Sequence, residues 1–393
     1  MNKKKLLAAA LLALCFAWPL AGTAQPTAVN DSKGLNAMLS RLSDEKQAWL
    51  DAASDNPDAP SVLPTPVPAK ALHRGSQGPE VAVLCNALQA RGFAPCEPGQ
   101  KAVDAALAEH IATAQRYYGL VADGWADTQL YNALALSAAE RAARIDALMQ
   151  EWEGIRARAR ELGADQYLVL NVPAYEIKAV AGDAVAISSR AVVGRPDRQT
   201  PMGVINVRGL KFNPDWTPPP TILKNDIYPR LAGDGEWIRA HGLVLLDQQG
   251  KTVDWEGLSA QEIRAAGYRF VQPAGARGAL GMLKFETDSS QNIYLHDTNE
   301  RYLFARAMRA KSSGCIRVER WRDLAAWVSD GEVASIDRKV ATRRTFFEPT
   351  AKVPVFVIYQ MADLIDGRVV YYPDIYKRGV PDPGTAPPQP AAL

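Results

Sequence analysis

Asn292-Ile293-Tyr294-Leu295-His296 is followed, after a spacer, by Ser312-Ser313-Gly314-Cys315-Ile316-Arg317. The first run alternates: Ile293 and Leu295 share one face, Tyr294 and His296 the other, which predicts a strand. The second run is a small-residue turn that ends on a cysteine. A thiol attacks only as thiolate, so it needs a base or a positive charge beside it. Histidine is the usual base. Eighteen residues separate His296 from Cys315, so folding must bring the two together. In that reading Cys315 is the nucleophile and His296 the general base and acid. Backbone N–H groups of Gly314 and Cys315 form an oxyanion hole, because a glycine turn exposes amides.

The pattern resembles the active-site signature of the L,D-transpeptidase (YkuD) family: a histidine, a spacer, then Ser/Thr-His-Gly-Cys-hydrophobic-Asn/Arg. Ser313 stands where many members carry a second histidine. That departure resembles the long, periplasmic YcbB-like branch. The resemblance implies an α+β fold: a mainly β-sandwich catalytic domain with a cap insertion, plus a small three-helix peptidoglycan-binding-like domain. It also implies that a backbone carbonyl near Asp297 orients His296. Arg317, at the Asn/Arg position of the signature, is expected to position substrate, with Ser313 and Tyr294 beside it. The implied donor is a tetrapeptide stem with a diaminopimelate–D-alanine bond, and the acceptor a neighbouring diaminopimelate amine. The product is a 3→3 cross-link, and carbapenem inhibitors are expected to acylate Cys315. No cofactor or metal is expected, and the chain is expected to be a monomer. Two other outcomes stay open: an L,D-carboxypeptidase, in which water meets the thioester, and a non-catalytic wall-binding protein.

With 393 residues, 47% of them hydrophobic and 22% charged, the chain is long enough for two packed domains. A net charge of +2 gives no reason to expect nucleic acid as a partner. Lys3, Lys4 and Lys5, the apolar run Leu6–Leu14 and the small residues Gly22-Thr23-Ala24 read as an export signal over 1–24. The rival reading is an uncleaved anchor. Export implies a periplasmic location and makes the cysteine count informative. Cys15 leaves with the signal and three cysteines remain. Cys85 and Cys96 are placed to pair, which leaves Cys315 free. From His296 to Arg322, seven basic residues face three acidic ones, which suits a carboxylate-rich substrate. Arg301, Arg306 and Arg309 are expected on a solvated helix face.

Residues 25–69 read as a proline-rich linker with one helix near Leu35–Ala53. Residues 70–136 read as three helices. Their Gly119-Leu120-Val121-Ala122-Asp123-Gly124 run resembles the peptidoglycan-binding domain; a plain helical spacer is the alternative. A charged helical connector fills 137–165. Strand alternation begins at Gln166, and the catalytic domain is drawn over 166–376. Val193-Gly194-Arg195 and Gln199-Thr200-Pro201 resemble the family's substrate-side hairpin but read as scaffold. Residues 212–280 break the strand rhythm with Trp216, Pro218–Pro220, Trp237, His241 and Trp255. They are read as the cap, which would exclude water, or as an excursion that only packs. Val353–Tyr359 and Arg368–Tyr372 are expected to form a hairpin across Asp366-Gly367. The tail 377–393 is expected to be disordered.

Overall fold

A computed structural model describes residues 34–55, 71–93, 97, 99–118, 120, 122–275, 277–306, 308–365 and 368–379. The expected signal, most of the linker, Cys96, the Asp366-Gly367 turn and all but the start of the tail lie outside the described residues. Two compact units divide the chain: 1–162 with 182–185 and 359–387, and 163–181 with 186–358 and 388–393.

The first unit is helical: α1 (Gly34–Asp55), α2 (Pro79–Ala90), α3 (Ala105–Tyr117), α4 (Thr128–Leu134) and α5 (Ala138–Glu161). The Asp104 carboxylate caps α3 by accepting from the Leu107 N–H at 2.8 Å. Ser137 and Glu140 form a reciprocal capping box on α5, which satisfies donors that a helix start leaves orphaned. Between α3 and α4, the buried Gln115 amide donates to Asp123 Oδ1 (2.8 Å) and to the Trp125 carbonyl (2.9 Å). The same amide accepts from the Gly124 N–H at 2.9 Å. One side chain therefore holds the Asp123-Gly124 turn singled out in the sequence. Cys85 is disulfide-bonded. A hairpin of Ala362–Ile365 with Arg368–Tyr371 belongs to this unit, although the sequence reading drew 166–376 as one domain. The expected pairing of Val353–Tyr359 with Arg368–Tyr372 is corrected here. The run to Ile358 is buried and flanked on both sides by sheet neighbours, so the shorter alternating segment beside the turn takes the hairpin role.

The second unit holds β1 (Gln166–Asn171), β2 (Glu176–Ala181), β3 (Ala184–Gly194), β4 (Gly203–Phe212), β5 (Val244–Leu246), β6 (Thr252–Val253), β7 (Arg269–Val271), β8 (Leu283–Thr287), β9 (Leu295–His296), β10 (Ala310–Ser312), β11 (Ile316–Val318) and β12 (Phe346–Ile358). Nine of these strands make one sheet in the order β10-β3-β11-β9-β8-β4-β12-β1-β2, and β2 also pairs with β3. The sheet therefore closes on itself through β2 and β3, and β10 is left at its end beside β3. Together with the helices this is an α+β fold with a β-sandwich domain. β12 lies between β4 and β1, and its last six residues are buried. Two helices, Trp321–Val328 and Val333–Ala341, follow β11.

The excursion after β4 is a folded subdomain. β5 pairs with β6 and β7, and Ile227, Ile238, Leu243, Leu245, Trp255, Ile263 and Phe270 make a core of their own. Its neck is pinned by a two-way bridge: Trp216 N–H to the Gln272 carbonyl (2.9 Å) and Gln272 N–H to the Trp216 carbonyl (2.7 Å). The helix expected from Thr221 is a short α-turn, a π-turn over Leu223–Ile227 and a 3-10 turn over Tyr228–Arg230. Pro229 lacks an N–H, so a regular ladder cannot run through it.

The chain re-enters the sheet through Gly281, at φ +60°. A Cβ there would lie 2.2 Å from Asp297 Oδ2. Gly281→Ala is therefore expected to force the Asp297 carboxylate aside and to cost about 2 kcal/mol or more. Denaturant unfolding of the variant checks this; wild-type stability would contradict the packing described.

Candidate active site

β9 is two residues long and lies between β8 and β11. It runs antiparallel to β8, with Lys284 opposite His296 and Phe285 opposite Leu295. It runs parallel to β11, with Ile316 opposite Leu295 and Arg317 opposite His296. Leu295 and Ile316 are fully buried and fix which face points inward. Alternation then puts Tyr294, His296, Cys315 and Arg317 together on the other face. Cys315 falls opposite Tyr294, one pleat from His296. Strand spacing and rise place the Cys315 and His296 Cα atoms about 8 Å apart, within reach of the two side chains.

His296 is 4% exposed. Its Nδ1–H donates to the Asp297 carbonyl at 2.5 Å, which leaves Nε2 as the basic nitrogen of a neutral ring. Burial pushes its pKa down to about 3, and the Arg317 and Lys284 charges push the same way. The Asp297 carboxylate is buried and accepts from the Met282 N–H (2.9 Å) and from Arg301 (2.8 Å). Burial raises its pKa. That carboxylate fixes the residue whose carbonyl orients the imidazole.

Cys315 is half-buried and is the free cysteine among the described residues. Its thiol donates to the Asn292 carbonyl at 3.8 Å and also contacts Tyr294. Burial raises the thiol pKa; hydrogen bonds from Tyr294 and the Lys284 and Arg317 charges only partly oppose this. Tyr294 reaches Cys315 and Trp216 through its side chain, and burial, then the neighbouring sulfur, holds its hydroxyl well above the ordinary phenol range. Lys284 Nζ lies 4.1 Å from the centre of its ring. The resting pair is thus a neutral thiol and a neutral imidazole.

The remaining expected residues each have partners within the protein. The Gly314 N–H, expected at an oxyanion, donates instead to Ser312 Oγ at 3.1 Å. Gly314 itself is at φ +114°, where a glycine is required. Arg317 is bound to Glu300 (2.5 Å) and Thr298 Oγ1 (3.2 Å). Ser313 Oγ accepts from Arg198 at 3.1 Å, and Arg198 also grips Asp226 of the insertion at 2.6 Å. The solvated helix face is corrected as well. Arg301–Ala305 is a 3-10 turn and the chain then enters β10, so Arg309 folds back over the Tyr175 ring and donates to the Ala191 carbonyl at 3.2 Å. Sequence reasoning missed Arg198, Ser312 and Thr200, all of which hold the cysteine turn. Only the resemblance of the Thr-Pro hairpin hinted at them. A cleft of about 780 Å³ lined by Asp330, Lys339, Glu348 and Lys352 contains none of the site residues, so concavity alone would misplace the chemistry.

A family model for the L,D-transpeptidase catalytic domain, YkuD, matches residues 165–341. A Haemophilus influenzae protein provisionally named an L,D-transpeptidase is 35% identical over 214 residues, 53% of this chain and 44% of that protein. The chain therefore spans less than half the length of that relative. Among solved structures, an L,D-transpeptidase fragment (residues 123–326) from Xylanimonas cellulosilytica is 14% identical. It covers 75% of this chain and 100% of its own, with a TM-score of 0.24. An L,D-transpeptidase from Mycobacterium smegmatis is also 14% identical, covering 49% and 58%, with a TM-score of 0.25. Likenesses at these scores carry no weight beside the sequence matches. Residues 165–341 thus match the YkuD family of L,D-transpeptidase catalytic domains.

Proposed function

We propose that the chain is a cysteine acyltransferase that forms 3→3 cross-links between peptidoglycan stem peptides. The observation that carries the reading is the β9–β11 register, which sets Cys315 and His296 on one face, one pleat apart. A turn about the Cys315 Cα–Cβ bond takes the thiol from Asn292 to His296 Nε2. Nε2 removes the thiol proton as sulfur bonds to the carbonyl carbon of the diaminopimelate–D-alanine amide. The developing oxyanion is received by the Cys315 N–H and the Tyr294 hydroxyl. Collapse breaks the C–N bond, and Nε2–H protonates the departing D-alanine amine, which leaves a thioester. The acceptor amine then attacks, gives its proton to Nε2, and that proton returns to the sulfur as the thioester breaks.

The insertion supports transfer over hydrolysis. Trp216 at its neck reaches Tyr294, and Asp226 reaches the cysteine turn through Arg198, contacts that suit a cap whose closing would exclude water. Arg317 and Ser313 are assigned to the substrate rim, where a stem carboxylate would replace Glu300 on Arg317. Carbapenems would acylate Cys315 by the same attack. The helical unit is assigned to holding the wall. A periplasmic location, reached by the 1–24 signal, agrees with a disulfide at Cys85 beside a free Cys315, a pattern suited to an oxidising compartment.

Incubation with tetrapeptide muropeptides, read by mass spectrometry, is expected to give cross-linked dimers with the wild type and none with Cys315→Ala. Trimmed tripeptides alone would assign a carboxypeptidase, and dimers from Cys315→Ala would remove the cysteine from the mechanism. The imidazole makes a separate prediction. Its folded pKa of about 3 lies below the unfolded value of about 6.5. Between those values the unfolded state binds the extra proton, so stability is full above about pH 6.5 and falls as pH drops toward 3. Lowering pH from 7 to 4.5 should cost the wild type roughly 2 kcal/mol more than His296→Gln. Denaturant unfolding at both pH values reads this, and equal losses would mean that His296 is not buried in neutral form.

A further inference from the structure

We propose that Thr200 is a positioning residue for acyl transfer, acting with Ser312 to aim the peptide that precedes the nucleophile; this rests on the acyl-transfer reading above. Thr200 is fully buried, in the run before β4. Its hydroxyl donates its one proton to the Gly314 carbonyl at 2.9 Å. It accepts from the Gly194 N–H at 2.8 Å, so the link spans from the end of β3 to the cysteine turn. Ser312 is buried too. Its hydroxyl donates to the Cys315 carbonyl at 2.6 Å and accepts from the Gly314 N–H at 3.1 Å. Each hydroxyl gives its proton to a carbonyl and accepts from a backbone N–H. Together they fix the three consecutive peptide units from Ser313 to Ile316.

The middle unit matters for chemistry. The Gly314 carbonyl and the Cys315 N–H belong to one planar trans peptide, so they point in opposite directions. Holding the carbonyl on Thr200 aims the Cys315 N–H away from the protein interior, toward the side where the nucleophile works. A hydrogen bond to that carbonyl also polarises the peptide and strengthens its N–H as a donor. The Gly314 N–H is already committed to Ser312, which leaves the Cys315 N–H as the backbone donor of this turn for an oxyanion. Thr200 touches no substrate; it acts through the peptide.

Two probes on the full chain separate this role from a packing role. A carbapenem acylates Cys315: an S–C bond forms, the lactam C–N bond opens, and the thiol proton ends on the lactam nitrogen. That path passes through an oxyanion. Iodoacetamide alkylates the same sulfur by displacing iodide, with no oxyanion. Thr200→Val is expected to slow carbapenem acylation, followed by intact mass, by about 10-fold or more, a part of what an oxyanion donor is worth. Alkylation should stay at the wild-type rate, and Thr200→Ser should restore acylation. Should the valine variant not fold, Ser312→Ala carries the same comparison, because it frees the Gly314 N–H and the Cys315 carbonyl. Equal slowing of both reactions, or acylation as fast as in the wild type, would overturn the proposal. A wild-type chain that is alkylated at Cys315 but takes no carbapenem adduct would instead reject the acyl-transfer reading itself.

Discussion

Two backbone strands of two and three residues, β9 and β11, lie parallel with Leu295 against Ile316 and His296 against Arg317. Everything chemical in the catalytic unit depends on that register. Side chains alternate with a period of two, so a slip by one residue would turn Cys315 inward and bring Ile316 out. The buried pair Leu295 and Ile316 resists such a slip, since both would lose their core contacts. β8 holds the other side of β9, and Gly281 lets Asp297 pack tightly enough to lock the strand's end. Strand order, hydrophobic pattern and one glycine thus converge on the position of a single imidazole.

That imidazole is deeply buried, and burial acts on both reactive groups in the same direction. It pushes the histidine down and the thiol up, so the proton stays on sulfur at rest. The arrangement differs from a preformed thiolate–imidazolium pair. In the mechanism we propose, proton transfer happens as the sulfur attacks, when the developing charge has the turn's amide and the Tyr294 hydroxyl to meet it. The basic neighbours Lys284 and Arg317 favour negative charge on sulfur, but each is already engaged, Lys284 with Glu286 at 2.8 Å and Arg317 with Glu300. Their effect on the thiol is correspondingly limited.

Much of this was legible in the sequence for a physical reason. The alternation in Ile293–His296 gives the shared face of Tyr294 and His296 without any coordinates, although the strand itself is only Leu295–His296. The helix near Leu35–Ala53 and the three helices after residue 70 follow from period and breakers, whereas the α+β fold with a β-sandwich was implied by the resemblance of the cysteine signature. What stayed hidden is long-range. Thr200 lies 114 residues from Gly314, and nothing in a Thr-Pro turn says which carbonyl its hydroxyl will meet. Arg309 read as a solvated face because the spacer after Thr298 looked helical; the short 3-10 turn and β10 appear only once β3 is available to pair. The hairpin partner of Arg368–Tyr371 was misread because the apolar run before it is needed inside the sheet, a demand set by strands far away in sequence.

The claim at the centre of the account is that the resting thiol is neutral. The pH dependence of Cys315 alkylation by iodoacetamide in the full chain, read on the peptide that contains Cys315, tests it most directly. The account predicts a rate that keeps climbing through neutral pH and past the ordinary thiol range. A rate already level between pH 5 and 7 would reveal a standing thiolate and contradict it.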